Sequence, residues 1–146
     1  MTISRIRKAA LLGCVAITLQ FGSACSPAEV LEGARQLGVE LTSDQAEALS
    51  SHLTPLTTPA QIEAHIRVVW AGTGQAERAV RIARCESTLQ ADPPHNNRYR
   101  GVFQMGPSEW RTYGRGGNIY NARHNIEAAH RYWVAAGGWG PWECRG

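Results

Sequence analysis

The residue best suited to chemistry in this chain is Glu86, which lies between Cys85 and Ser87 at the end of a pattern typical of a helix. The backbone carbonyls at the C-terminal end of a helix carry partial negative charge and disfavour a second anion. In apolar surroundings the pKa of this carboxyl should rise, and a carboxyl that stays protonated near neutral pH can act as a general acid. Arg84 opposes this effect unless its side chain points away. The alternative is a solvated glutamate at a helix end.

Cys85 and Cys144 form the second candidate constellation. A disulfide between them would close a loop of about 60 residues and contribute on the order of 4 kcal/mol by restricting the unfolded chain. A zinc site would need two more ligands nearby, which the histidine spacing does not provide, and a redox pair usually has the spacing Cys-x-x-Cys. We therefore favour a structural disulfide that ties the chain end to the helix carrying Glu86.

The remaining ionisable residues predict no metal site, no nucleophilic triad and no cofactor. His124 and His130 are six residues apart and fall on different faces of a helix. Asp92 is the nearest other acid to Glu86, and we expect it to cap the turn at Pro93. The other histidines are scattered along the chain: His52, His65 and His95.

The helices that must position these residues have clear local signals. Thr58, Pro59 and Gln61 have the spacing of a capping box, which predicts a helix start. That helix should end at the glycines of residues 72–74, and a second should run from Gln75 toward Glu86. We expect further helices at residues 107–110 and 121–136, and no long alternating strand pattern appears.

The part of the chain before Thr58 predicts one or two short helices within residues 27–53, with Ser43 as an N-cap. Two prolines in residues 54–59 then break any helix, which places a domain boundary there. Residues 25–58 are interpreted as a helical spacer or as a brace packed on the domain, and the sequence does not decide which. Residues 59–146 form the predicted domain.

The first 24 residues are typical of a secretory signal peptide, with three basic residues followed by an apolar run and small residues for cleavage. The apolar run is too short for a membrane-spanning helix. Cleavage after Ala24 would leave Cys25 first, which is where a bacterial lipoprotein carries its lipid. Ordinary cleavage also tolerates this pattern, so lipid attachment at Cys25 and simple secretion both stay open. Either route places the protein outside the cytoplasmic membrane.

Charge is distributed unevenly along the 146 residues, which are enough for one domain. Residues 26–61 carry a net charge of −4 and residues 62–146 a net charge of +4. A basic C-terminal part suits an anionic polymer. The arginines are scattered rather than clustered with stacking aromatic residues, and the chain is predicted to be exported, so nucleic acid is excluded as the expected partner. An acidic wall polysaccharide fits better.

Two linked motifs carry a family resemblance. Residues 83–87, Ala-Arg-Cys-Glu-Ser, and residues 99–110, Tyr-Arg-Gly-Val-Phe-Gln-Met-x-Pro-Ser-x-Trp, resemble the motifs of soluble lytic transglycosylases in order and spacing. Residues 125–133 and 138–144 are similar to the end of small secreted actinobacterial versions and of the related resuscitation-promoting factors. The resemblance covers about residues 62–146 and implies a mainly α, compact lysozyme-like domain with one disulfide.

The resemblance implies that Glu86 is the catalytic acid and base, and that Ser87, Gly101 and Gln104 line the cleft and orient substrate. Trp139 and Trp142, in a glycine-rich tail, are candidates for stacking on sugar faces, with packing against the disulfide as the alternative. The chain departs from the family after Ser87, where Asn-Pro-x-Ala is missing, and no clear Ala-Tyr-Asn motif is present.

The implied function is cleavage of the β-1,4 bond between N-acetylmuramic acid and N-acetylglucosamine in peptidoglycan, with formation of 1,6-anhydro ends. Ordinary glycosidases use two carboxylates, whereas this family needs one because the substrate supplies its own 6-hydroxyl. A hydrolysing muramidase and a non-catalytic wall-binding or growth-signalling module are the alternatives. We expect a monomer that acts on peptidoglycan glycan strands.

Overall fold

The computed structural model describes residues 26–93 and 98–146. The predicted signal peptide and Cys25 lie outside the described residues, as does part of the loop that follows Pro93. Within the described ranges the chain forms six helices and no strand. The helices are α1 (Pro27–Gln36), α2 (Ser43–Leu53), α3 (Pro59–Val69), α4 (Ala76–Ser87), α5 (Pro107–Tyr113) and α6 (Ala122–Ala135). The prediction of a mainly helical protein is therefore confirmed.

The chain divides into two compact units between Pro55 and Leu56. In the first unit α1 packs on α2, and Val30 and Ala46 are buried between them. Half-buried leucines surround this small cluster: Leu31, Leu41, Leu49 and Leu53. None of the helices in the described ranges combines the length and apolar composition needed to cross a membrane.

The start of α2 corrects one sequence-based prediction. Thr42, rather than Ser43, is the N-cap. The Thr42 side chain accepts a hydrogen bond from the Gln45 backbone N–H, and the Gln45 side chain accepts one from the Thr42 N–H at 2.9 Å. Ser43 lacks such a partner because Ala46 stands three residues after it, so the reciprocal pair forms one residue earlier.

In the second unit, α3 begins as predicted. The Thr58 side chain accepts from the Gln61 N–H at 3.2 Å, and the Gln61 side chain accepts from the Thr58 N–H at 3.0 Å. Helix α3 packs against α4 and α6, and α5 packs against α6. The predicted helix at residues 107–110 extends one turn further, to Tyr113.

The core of the second unit is built around aromatic rings. Trp70 is fully buried and stacks on Phe103, with ring centroids 5.2 Å apart. Helix α4 presents one apolar face to this core, with Ala79, Ile82 and Ala83 completely buried. Burying side chains of this kind contributes about 1.5–3 kcal/mol for each large residue. The core thus fixes the orientation of α4 and, through it, the direction of the side chains in its last turn.

Candidate active site

Glu86 lies in the last turn of α4 and is half-buried. Burial is the main cause that raises the pKa of its carboxyl. The backbone N–H of Cys144 donates a hydrogen bond to Oε1 at 3.2 Å, which lowers the pKa, and the negative charge of Glu143 raises it again. Together these effects leave the pKa of Glu86 above its ordinary value. Such a carboxyl holds its proton to higher pH and is suited to general acid chemistry.

Helix α4 ends directly after this carboxyl. Thr88 and Leu89 adopt left-handed backbone conformations, with φ of 54° and 59°. For residues with a side chain this conformation costs about 1–2 kcal/mol each. Leu89 is nevertheless buried, and that burial offsets part of the cost. The abrupt end leaves Glu86 at the negative end of the helix dipole, where a second negative charge is disfavoured.

The side chain of Arg84 points away from Glu86. Its guanidinium lies 2.7 Å from a carboxylate oxygen of Glu63 on α3. The same glutamate also binds Arg67, which in turn binds Glu77 at 2.7 Å. This surface network holds the Arg84 charge against α3, so the neighbour that could have lowered the pKa of Glu86 is engaged elsewhere.

The disulfide between Cys85 and Cys144 is present, as predicted, with the two Cα atoms 6.1 Å apart. It brings the tail of the chain against α4. The carbonyl of Arg145 adds a second attachment, because it accepts two hydrogen bonds from Arg78 at 3.0 and 3.1 Å. These links place the Cys144 N–H on the Glu86 carboxyl.

Ser87, which the resemblance predicts to line the cleft and orient substrate, is buried at the end of α4. The side chain is only 2% exposed, and its hydroxyl lies 2.8 Å from the carbonyl oxygen of Val102 and 3.1 Å from that of Ala83. The hydroxyl also accepts a hydrogen bond from the Gln90 N–H at 3.3 Å. Ser87 therefore joins the end of α4 to the turn that contains Val102.

That turn is closed by Arg100 and Met105, whose backbones exchange hydrogen bonds of 3.1 and 2.8 Å. Asn125, on α6, is fully buried and secures it. Its side-chain oxygen accepts from the Phe103 N–H at 2.8 Å, and its nitrogen donates to the carbonyls of Arg100 and Ile119. Sequence reasoning did not select Asn125 as a site residue. The sequence did contain a signal that could have identified it. Its amide lies on the face of α6 that also carries buried Ala and Ile residues.

Gly101 has a packing reason to lack a side chain. Its φ is +78°, and a Cβ atom at this position would overlap the Asn125 side chain and approach the Ile119 carbonyl oxygen to 2.6 Å. The missing side chain thus makes room for Asn125. Gly101 is required by the packing beneath the turn.

Replacement of Gly101 by alanine should destabilise the folded protein by about 3 kcal/mol, because it combines the left-handed backbone with overpacking. Gly116 is the matched control, since its φ is +75° and no atom would approach an added Cβ within 4 Å. Gly116→Ala should cost only about 1 kcal/mol. The measurement is urea unfolding of both variants, and equal losses would contradict the steric role of Asn125.

Two residues of the predicted substrate-binding set lie on this turn, Gly101 and Gln104. Gly101 is buried, whereas the side chain of Gln104 is partly exposed. Gln104 adopts a φ of 45°, and its side-chain nitrogen donates to the Gly101 carbonyl at 2.9 Å. Because the Val102 carbonyl of the same turn accepts from Ser87, the turn is connected directly to the residue next to Glu86. Gln104 therefore stays a candidate for substrate contact.

Trp139 and Trp142 are buried, as in the packing alternative that the sequence left open beside stacking on sugars. They are 6% and 5% exposed. Trp139 stacks against Trp70 with centroids 5.7 Å apart, and its indole N–H donates to the Gln75 side chain at 3.1 Å. The Trp142 indole N–H donates to the Phe103 carbonyl at 3.0 Å. Both rings belong to the core of the second unit and lie next to the tail that the disulfide links to α4.

Glu143 was not selected from the sequence, yet it is the neighbouring charge that acts on Glu86. We expect Glu143→Gln to lower the pKa of Glu86, because removal of a nearby anion favours the charged carboxylate. If protonated Glu86 is the active form, the alkaline limb of kcat/KM against pH should move to lower pH. Glu127→Gln, which removes a carboxylate paired with Arg131 on α6, is the control and should leave the limb in place. An unchanged limb in Glu143→Gln would contradict the assignment of Glu86 as the titrating group.

Among the residues that the structure describes, no three His, Cys, Asp or Glu side chains are grouped so that they could hold a metal ion. Comparison with protein-family models, with curated proteins and with solved structures finds no match for the chain. The features of the chain that indicate a function are the two motifs and the geometry around Glu86.

Proposed function

We propose that the protein is a lytic transglycosylase that cleaves the β-1,4 bond between N-acetylmuramic acid and N-acetylglucosamine in peptidoglycan. The observation that carries the proposal is the half-buried Glu86 carboxyl, whose pKa is raised by burial and by Glu143. Support also comes from the Cys85–Cys144 disulfide, which suits an oxidising compartment outside the cytoplasmic membrane. The lysozyme-like fold is part of the same proposal.

The reaction needs only one carboxyl group. Protonated Glu86 gives its proton to the glycosidic oxygen as the bond to C1 of the muramic acid breaks, and the electron pair leaves with that oxygen. The Glu86 carboxylate then takes the proton of the 6-hydroxyl of the same sugar, whose oxygen bonds to C1. The products are a 1,6-anhydro end and a free hydroxyl, and Glu86 regains its proton. No water is consumed.

A hydrolysing muramidase is the second candidate, and Glu143 is the observation that favours it. Glycosidases that use water pair an acid with a second carboxylate that activates the water. Glu143 is exposed and its charge acts on Glu86. Among the described carboxylates it is therefore the best candidate for the group that activates water.

The proposal is tested by incubating the purified mature protein, with its disulfide formed, with dye-labelled peptidoglycan sacculi. Release of soluble dye is the expected result, and it should depend on Glu86. Protein that sediments with the sacculi without releasing dye would contradict both enzyme assignments and would support the non-catalytic wall-binding or growth-signalling module.

A further inference from the structure

Asn125 is buried more deeply than an amide side chain usually is. It has no exposed surface, although amide side chains lie mostly at protein surfaces. Burial of an amide is costly unless its groups form hydrogen bonds, and here both groups do. The side-chain oxygen accepts from the Phe103 N–H at 2.8 Å, and the nitrogen donates to the carbonyls of Arg100 at 3.1 Å and Ile119 at 3.2 Å. Asn125 therefore holds the turn of residues 100–105 from the side of the core.

The peptide group that joins Val102 to Phe103 is bound at both of its polar atoms. Its carbonyl oxygen accepts from the Ser87 hydroxyl at 2.8 Å, and its N–H donates to Asn125. Val102 and Phe103 are completely buried, so these bonds form away from water. Hydrogen bonds that share one peptide group in such surroundings polarise it and strengthen each other. The end of α4 and the middle of α6 are thus linked through a single peptide group.

The next carbonyl of the turn is bound by the tail of the chain. The Phe103 carbonyl accepts from the Trp142 indole N–H at 3.0 Å. Trp142 stands two residues before Cys144, whose N–H donates to the Glu86 carboxyl. Ser87, which binds the other carbonyl, directly follows Glu86 in sequence. The helix that carries the candidate acid and the tail that contacts it are therefore both attached to this turn.

The turn presents Gln104 in a strained backbone conformation. Its φ of 45° is left-handed, and a residue with a side chain keeps this conformation only where its surroundings impose it. The backbone N–H and the side-chain nitrogen of Gln104 both donate to the Gly101 carbonyl, at 3.1 and 2.9 Å. We propose that Asn125 is a positioning residue for cleavage, because it fixes the turn and thereby holds Gln104 in one position relative to Glu86. This inference rests on the proposed function.

The test uses Asn125→Asp, which keeps the size of the side chain and an acceptor for the Phe103 N–H but, when ionised, has no donor for the two carbonyls. On soluble glycan strands kcat should fall about a hundredfold, the size expected when a group in the site shifts by about 1 Å, with a smaller change in KM. The NMR signal of the Gln104 side-chain amide should move. Ile126→Ala is the matched control, because it removes a fully buried apolar side chain from the same helix and no hydrogen bond. It should lower stability and leave kcat and the Gln104 signal as in wild type.

Rates are compared at a temperature where each variant is fully folded. If Asn125→Asp does not fold, Asn125→Ser replaces it, since serine is neutral and leaves space for a water molecule beside the same backbone groups. A folded Asn125 variant with wild-type kcat would overturn the positioning role, and so would an equal loss of kcat in Ile126→Ala. A wild type that cleaves nothing would instead refute the proposed function. The Gln104 signal needs no cleavage, so an unmoved signal in the Asn125 variant would by itself show that Asn125 does not fix the turn.

Discussion

Replacement of Glu86 by glutamine is expected to reduce the release of peptidoglycan fragments by at least about a thousandfold, because in the proposed mechanism one side chain supplies both the acid and the base. Glutamine keeps the size of the side chain and an oxygen that can accept the Cys144 N–H bond. It cannot transfer a proton. The measurement is the initial rate of dye release from labelled sacculi. Asp92→Asn, which neutralises the nearest other acid in the sequence, is the control and should retain wild-type activity.

The same variant should leave the fold intact, and the sign of its stability effect follows from the raised pKa of Glu86. In the unfolded chain Glu86 has its ordinary pKa of 4.5. The folded protein therefore keeps the proton on Glu86 at pH values where the unfolded chain has lost it. Stability of the wild type therefore falls as pH rises from that value through the raised pKa. Glu86→Gln removes this loss and should be at least as stable as wild type at neutral pH. Inactivity with an unchanged Tm would assign the loss to the chemistry of Glu86, whereas activity retained by the folded variant would contradict the catalytic assignment.

Replacement of both Cys85 and Cys144 by alanine should reduce the free energy of unfolding by about 4 kcal/mol, because the unfolded chain regains the freedom of a long loop. The two cysteines are 59 residues apart in sequence. The measurement is urea unfolding of the double variant and of wild type, each with and without reductant. Reductant should lower the stability of wild type to that of the variant and leave the variant unchanged. A loss below about 1 kcal/mol would contradict a structural role for the disulfide.

The disulfide should also govern how Glu143 acts on Glu86, since it holds the tail against α4. In the wild-type background Glu143→Gln moves the alkaline limb, and in the cysteine-free background this shift should shrink because the tail is released. A double-mutant comparison of the two pH profiles measures the coupling. Identical shifts in both backgrounds would show that the tail stays in place without the disulfide.

The helix starts were predictable where the signal is local. At Thr58 the cap residue, Pro59 and Gln61 all indicate the same start, and the prediction is confirmed. At the start of α2, Ser43 precedes an acid and looked suitable as a cap, but Thr42 has Gln45 three residues after it. The reciprocal hydrogen bonds of that pair decide the boundary, and attention to the Thr-x-x-Gln spacing would have found it.

The sequence left the roles of Trp139 and Trp142 open between stacking on sugars and packing, because local composition is a poor guide to burial. A glycine-rich tail indicates an exposed segment, and the glycines do leave the backbone free to turn. The disulfide and the Arg78 contact to the tail then bring both rings against Trp70 and Phe103. These contacts join residues far apart in sequence, so no local pattern could reveal them.

The role of the turn beyond α4 was only partly predictable for the same reason. The motif indicated that Gly101 and Gln104 belong together, and both lie on one turn. The reason for a glycine at position 101 is the buried amide of Asn125, which comes from α6. Proximity of Glu86 to Glu143 likewise depends on the disulfide. Sequence could therefore select the candidate catalytic carboxyl but not the groups that raise its pKa and hold the neighbouring turn in place.

The most direct test of the central proposal is the mass of the soluble fragments released when the mature protein digests purified peptidoglycan. A transglycosylase that uses Glu86 alone should give fragments ending in 1,6-anhydro-N-acetylmuramic acid, lighter by one water than the hydrolysis products, and Glu86→Gln should give none. Fragments with reducing ends would contradict the single-carboxyl mechanism and assign a hydrolase. Release of no fragments by the wild type would contradict enzymatic cleavage altogether.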